Sequence, residues 1–279
     1  MNTSNNDPRT QFAMLFTGED QHIDLIDAAL LIAAEHHPEF NLDHCHQQIE
    51  NLANEARNSV DTSQTTEAIA QDLCNFLYRQ AGYSGDHGDY YNPDNSYFDR
   101  VLQRRKGIPI TLALVYISVG RNLGLEIEPV GFPGHFLVKL VGDEEILLDP
   151  FSGQVLNENA CRELLKTCTQ DSIAFKSEHL DSVSNREVVR RILGNLKGIY
   201  LGRKDLDEAL AICDQLLLID KNSRRDLMDR ALVLEQMDCH SAAADDLEYL
   251  LTLAPPPPVS KSIKEKIVDL RNQGGGHLH

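Results

Sequence analysis

Residues 104–151, RRKGIPITLALVYISVGRNLGLEIEPVGFPGHFLVKLVGDEEILLDPF, leave the chain few choices. Pro109 suits the first turn of a helix, where an N–H would go unpaired anyway, and Gly124 suits the left-handed stop at the far end. Arg121 falls in the last turn, where the helix dipole favours a cation. Between them Ile110, Leu112, Ala113, Leu114, Val115, Tyr116, Ile117 and Val119 leave almost no polar face. A helix that is apolar all round must be enclosed by other elements, so the pattern predicts a central helix.

Residues 134–140 and 144–150 then fit a hairpin turning at Val141, Gly142 and Asp143. With Gly142 at the centre, His135 pairs with Asp149 and Leu137 with Leu147. Phe136, Val138, Leu140, Ile146 and Leu148 share the opposite face, which is wholly apolar. Cross-strand neighbours of this kind bring a carboxylate close enough to orient an imidazole. A slip of one residue would separate them.

A helix start facing a His and an Asp on adjacent strands resembles the transglutaminase core, in which a Gly-x-Cys opens the central helix. Aligned on Gly107, Ala113, Arg121 and Gly124, the resemblance puts Pro109 at the nucleophilic cysteine's position. It implies that the nucleophile is absent and that Pro109, His135 and Asp149 are vestigial. Thr111, two positions on and roughly 200° around the helix, should face elsewhere.

Four segments, AEHHPEFN, DYYNPDNSYFDRVLQRRKGIPITLALVY, VGFPGHFLVKL and LLDPFSGQVL, together resemble the SirB family of bacterial proteins. In that family a transglutaminase-like domain precedes tetratricopeptide repeats. The resemblance implies an α+β, predominantly helical fold. The order of elements along the chain divides it into a helical region over residues 1–90, a core with a small antiparallel sheet over 91–185, and repeats with a capping helix and disordered tail over 186–279. The resemblance runs directly through Asn95, Ser96 and Tyr97, which with Arg105 are the binding candidates. The basic run Arg104, Arg105 and Lys106 has two readings, an anion contact near the ancestral site or a charged turn balancing the acidic N-terminal region.

Taken in order, IDLIDAALLIAA predicts a helix over 23–34, ending near His36, His37 and Pro38. A second over 42–57 places Ile49, Leu52, Ala53 and Ala56 on one side, and a third over 64–80 buries Ile69, Leu73, Phe76 and Leu77, capped by Thr62 or Ser63. His44 and His46 flank Cys45 but point apart on a helix, which argues against a shared metal. Residues 82–95, GYSGDHGDYYNPDN, read as a polar loop, after which Asn95 or Ser96 would cap a short helix ending at Arg105. A further helix is expected over 158–169 and an irregular stretch over 170–185.

A period of 34 residues aligns Ala209 with Ala243, Leu216 with Leu250 and Lys221 with Pro255, the signature of tetratricopeptide helix pairs. Tyr200, Ile212, Leu216, Leu247 and Leu250 would fill the seams. Pro255 to Pro258 should end the last repeat helix, and a capping helix is expected over 260–272.

The net charge of −17 is uneven, since residues 1–90 hold 15 acidic and 3 basic side chains. Such a field repels phosphate backbones, so nucleic acid and anionic membranes are not expected partners. The polar start lacks a secretory signal, and no apolar run spans a bilayer. Six scattered cysteines suit reduced, mostly buried thiols, which points to the cytoplasm.

The functional expectation is a non-catalytic protein or peptide binding module with no cofactor and no metal. The alternative is a hydrolase or amide transferase using His135 and Asp149 with an unrecognised nucleophile. A small-ligand sensor is a third reading and requires a polar pocket between Pro109 and His135.

Overall fold

The computed structural model describes residues 7–19, 22–37 and 39–274. Pro38 and the tail beyond residue 274 lie outside these described residues. The chain divides into two compact units, Met1–Ile192 and Leu193–His279. Residues 1–90 and 91–185 therefore fall in the same unit.

The first unit opens with α1 (Pro8–Leu15), a helix that the sequence reading passed over. Asp7 caps it by accepting from Thr10 N–H at 3.0 Å, and Phe12 is its buried anchor. In α2 (Leu25–Ala34) Asp24 accepts from the N–H groups of Ile26 and Asp27, both at 2.9 Å. Asn41 caps α3 (Leu42–Ala56), which buries the expected stripe. The helix expected over 64–80 is α4 (Thr66–Cys74), running on into a π-helical turn, Asn75–Gln80. Its cap is Thr65 rather than Thr62 or Ser63, because the Thr65 hydroxyl is the one that accepts from the Ala68 N–H.

The stretch read as a loop contains β1 (Ser84–Gly85), and after α5 (Phe98–Arg104) the chain returns as β2 (Lys106–Gly107), parallel to β1. Pro93–Asn95 forms a 3-10 turn, so Tyr97 and not Asn95 or Ser96 stands at the start of α5. Central to the unit is α6 (Pro109–Asn122), buried from Pro109 through Gly120. Thr111 Oγ1 accepts from Ile108 N–H at 3.2 Å and donates to the Asn95 carbonyl at 2.6 Å, fastening the helix start to the 3-10 turn. Gly124 has φ +79°, the expected left-handed stop.

Four antiparallel strands follow in sequential order: β3 (Glu126–Val130), β4 (Leu137–Val141), β5 (Glu145–Asp149) and β6 (Gln154–Leu156). The hairpin register differs from the expected one. Val138 pairs with Leu148 and Val141 with Glu145, so Asp143, not Gly142, is the centre of a three-residue turn. Thr66 holds that turn: its N–H donates to Asp143 Oδ1 at 3.1 Å, and its hydroxyl accepts from Asp143 N–H at 3.1 Å. The register has moved by two places, which keeps every side chain on its expected face. Val138, Leu140 and Leu148 are buried, and β3 and β4 pack on α6. Leu137 and Leu147 on the other face join Cys161 and Leu165 of α7 (Glu158–Thr169) in a separate cluster.

The chain then enters α8 (Asn185–Arg203), and the boundary between the two units falls inside it. In the second unit it is followed by α9 (Leu206–Ile219), α10 (Arg224–Gln236) and α11 (His240–Thr252). The last helix, α12 (Pro257–Gly274), starts earlier than expected, because Pro257 and Pro258 form its first turn instead of only ending α11. Ala209 and Ala243 are fully buried, and Leu216, Leu247 and Leu250 fill the seams as expected. Lys204 and Asp238, with φ of 60° and 58°, place the same left-handed bend at equivalent points of the two repeats.

Candidate functional site

His135 and Asp149 are brought together by the end of the β4 and β5 hairpin. His135 Nε2 lies 2.8 Å from Asp149 Oδ1, and both side chains are buried. Asp149 also accepts from Ser152 Oγ at 2.7 Å and from the Phe151 N–H at 3.0 Å. Burial acts to raise the Asp149 pKa, but the His135, Ser152 and Phe151 bonds outweigh it and hold the group below its ordinary value. An ionised Asp149 requires the Nε2 proton of His135 to point at it. Nδ1 makes no protein hydrogen bond among the described residues.

Pro109 occupies the first position of α6, buried and without a polar side-chain atom. Thr111 is committed to the Asn95 carbonyl. Burial pushes the thiols of Cys74 to about 12 and Cys161 to about 11. Cys168 lies against Gly134, one residue before His135, and burial followed by the charge of Asp149 pushes its thiol up as well. A reactive cysteine needs the opposite environment, one that stabilises the thiolate.

Three of the four binding candidates face inward, and Arg105 is exposed. Asn95, Ser96 and Tyr97 are all buried. Asn95 Nδ2 donates to the Asp89 carbonyl at 2.7 Å, and its Oδ1 accepts from Arg104 at 3.1 Å. Tyr97 packs on the rings of His36 and His37. Arg105, with φ +55°, donates to the Ala81 carbonyl at 2.8 Å. Arg104 reaches Asp86 at 3.5 Å and Asp94 at 3.8 Å, and Lys106 donates to Ser84. The basic run is thus taken up by internal partners. His46 Nε2 lies 2.8 Å from Asp27, and no group of metal ligands occurs among the described residues.

Sequence reasoning did not place the residues that surround the pair beside it. The Phe151 ring lies edge-on to His87 at 4.7 Å, His135 at 5.9 Å and Tyr90 at 6.2 Å. Gly85 makes that possible, since a Cβ there would overlap the Phe151 ring. Arg191 of α8 donates from Nη2 to the carbonyls of Phe132, at 3.0 Å, and His135. The one sequence signal was the tyrosine pair at 90 and 91 inside an otherwise polar loop.

A family model described as the transglutaminase-like superfamily matches residues 43–194, and one described as the tetratricopeptide repeat matches 196–267. A UPF0162 protein of Xylella fastidiosa is 33% identical over 93% of this chain and 94% of its own length. Protein SirB1 of Salmonella typhimurium is 25% identical over 87% of this chain and 91% of its own. Among solved structures, menin superposes with a TM-score of 0.43 at 11% identity, over 95% of this chain and 82% of that one. No described helix is long and apolar enough to cross a membrane.

Proposed function

Because the chain belongs to the SirB1 and UPF0162 family of transglutaminase-like proteins with tetratricopeptide repeats, we propose that it is a non-catalytic module that binds a protein or peptide. The observation that carries this reading is the proline at the first position of α6. A thiol at a helix start would be activated by the dipole and by a neighbouring imidazole, and a proline ring supplies neither sulfur nor N–H. Binding is then divided between the helical repeats and the surface beside His135. The net charge of −17 argues against nucleic acid, and six free cysteines support a reducing, cytoplasmic setting.

The second reading, an acyl-transfer or hydrolytic enzyme, draws on the intact 2.8 Å contact between His135 and Asp149. One experiment separates the two. An electrophilic thiol probe is applied to the wild type, to His135→Ala and to Pro109→Cys. The binding reading expects no His135-dependent labelling in the wild type and a new labelled site in Pro109→Cys. Wild-type labelling of a single cysteine that disappears in His135→Ala would establish the enzyme reading instead.

A further inference from the structure

The residues around Phe151 form a surface with a defined chemistry. Tyr90 and Tyr91 are 41% and 73% exposed and lie edge-on to each other at 5.4 Å. His87 is exposed beside them, and Phe151 is half-buried. Exposed aromatic clusters of this type mark binding surfaces, since rigid rings give contact area at little entropic cost.

Arg191 adds a charge that no carboxylate among the described residues meets in an ion pair. Its guanidinium is half-buried and stacks over the Phe136 ring, 5.1 Å from the centroid. Both Nη2 protons go to the Phe132 and His135 carbonyls. Nε and Nη1 have no protein acceptor, and no carboxylate forms an ion pair with this side chain among the described residues. Glu187, one turn earlier on α8, acts on it only at longer range, as does the Tyr90 hydroxyl. Two other partly buried arginines do meet carboxylates: Arg104 reaches Asp86 and Asp94, and Arg230 reaches Asp214 and Asp246. Acids outnumber bases 43 to 26, so a half-buried arginine without one is a site held open.

We propose that this surface receives a peptide segment presenting one carboxylate to Arg191, with an adjoining side chain lying on Tyr90, Tyr91 and Phe151. The inference rests on the binding reading of the protein and gives it a ligand class. A single guanidinium matches a single negative charge, and the acidic surroundings disfavour a polyanion. The carboxylate comes either from a chain terminus or from an Asp or Glu side chain.

The test uses the full chain labelled with 3-fluorotyrosine, with the Tyr90 and Tyr91 resonances assigned by Tyr→Phe variants. Three peptides of Ala, Gly and Phe are titrated: one with a free C-terminus, one amidated with a single Glu, and one amidated without acid. One or both carboxylate peptides are expected to shift the Tyr90 and Tyr91 resonances saturably, which identifies the source. The neutral amide should bind at least about tenfold more weakly, and Arg191→Gln should remove about tenfold of the carboxylate affinity. Because Arg191 also holds two carbonyls, the exposed Glu187→Gln variant provides a second measure and should tighten carboxylate binding about twofold or more.

Equal binding of all three peptides, or of the carboxylate peptides to Arg191→Gln and Glu187→Gln, overturns the carboxylate assignment while leaving the aromatic surface a binding site. No shift by any peptide overturns the assignment too. If that silence is accompanied by His135-dependent thiol labelling of the wild type, the binding reading has failed with it.

Discussion

Asp149 commits two carboxylate oxygens to three donors, and its behaviour should dominate the site's response to acid. Asp149→Asn keeps the shape but weakens the bonds to His135, Ser152 and the Phe151 N–H, and should cost about 1–3 kcal/mol in urea unfolding at neutral pH. The folded-state pKa is depressed, so the unfolded chain binds the proton more readily. The stabilisation is therefore complete above the unfolded value of about 4 and is lost as pH falls through the lower folded value. The gap between wild type and Asp149→Asn should shrink as pH drops below about 4. A gap that stays constant would show that the carboxylate's ionisation contributes nothing. Single residues were also where the sequence was most readable: the His, the Asp and the helix-opening proline each occupy a position that a motif defines. Arg191 was not readable, because it arrives on α8 from beyond the irregular stretch and touches the site through backbone carbonyls, which carry no sequence signature.

At the scale of elements, Pro109 marked the start of α6, helical spacing gave α3 to within a residue, and α7 was expected over its observed range. Periodicity also assigned the hairpin faces correctly, although it missed the register by two places. Alternation specifies which side chains point inward and is blind to any shift by an even number. What decided the register was Thr66 gripping Asp143, a contact between residues 77 positions apart that no local pattern encodes. The same limit applies to glycines, whose role depends on what surrounds them. Gly124 and Gly153 have φ of 79° and 68°, but a Cβ at Gly124 meets open space while one at Gly153 would fall on the Tyr78 ring. Gly124→Ala should therefore cost only about 1 kcal/mol, from backbone strain alone, and Gly153→Ala clearly more, at least about 2 kcal/mol, because the β5 to β6 connection must also part from the π-helical turn. Equal costs in urea unfolding would mean that Tyr78 gives way freely.

The whole molecule divides its charge unevenly between its two units. Residues 1–192 carry 29 acidic and 15 basic side chains, and residues 193–279 carry 14 and 11. In the second unit the charges are largely engaged with each other: Arg230 bridges Asp214 and Asp246, Arg271 bridges Asp245 and Glu248, and Lys197 lies between Asp226 and Asp229. In the first, the excess of acid is spread over a surface with few cations to answer it, so like charges repel within the folded state and the repulsion relaxes on unfolding. Salt shortens the reach of that repulsion from about 30 Å at 0.01 M to below about 10 Å above 0.1 M. The two units should thus respond differently in the intact chain. Hydrogen exchange of the buried amides in α6 should slow as ionic strength rises from about 0.01 to 0.3 M. Exchange in α11 should stay level or quicken slightly as its exposed ion pairs are screened. Parallel slowing in both helices would trace the effect to general salting-out rather than to the acidity of the first unit.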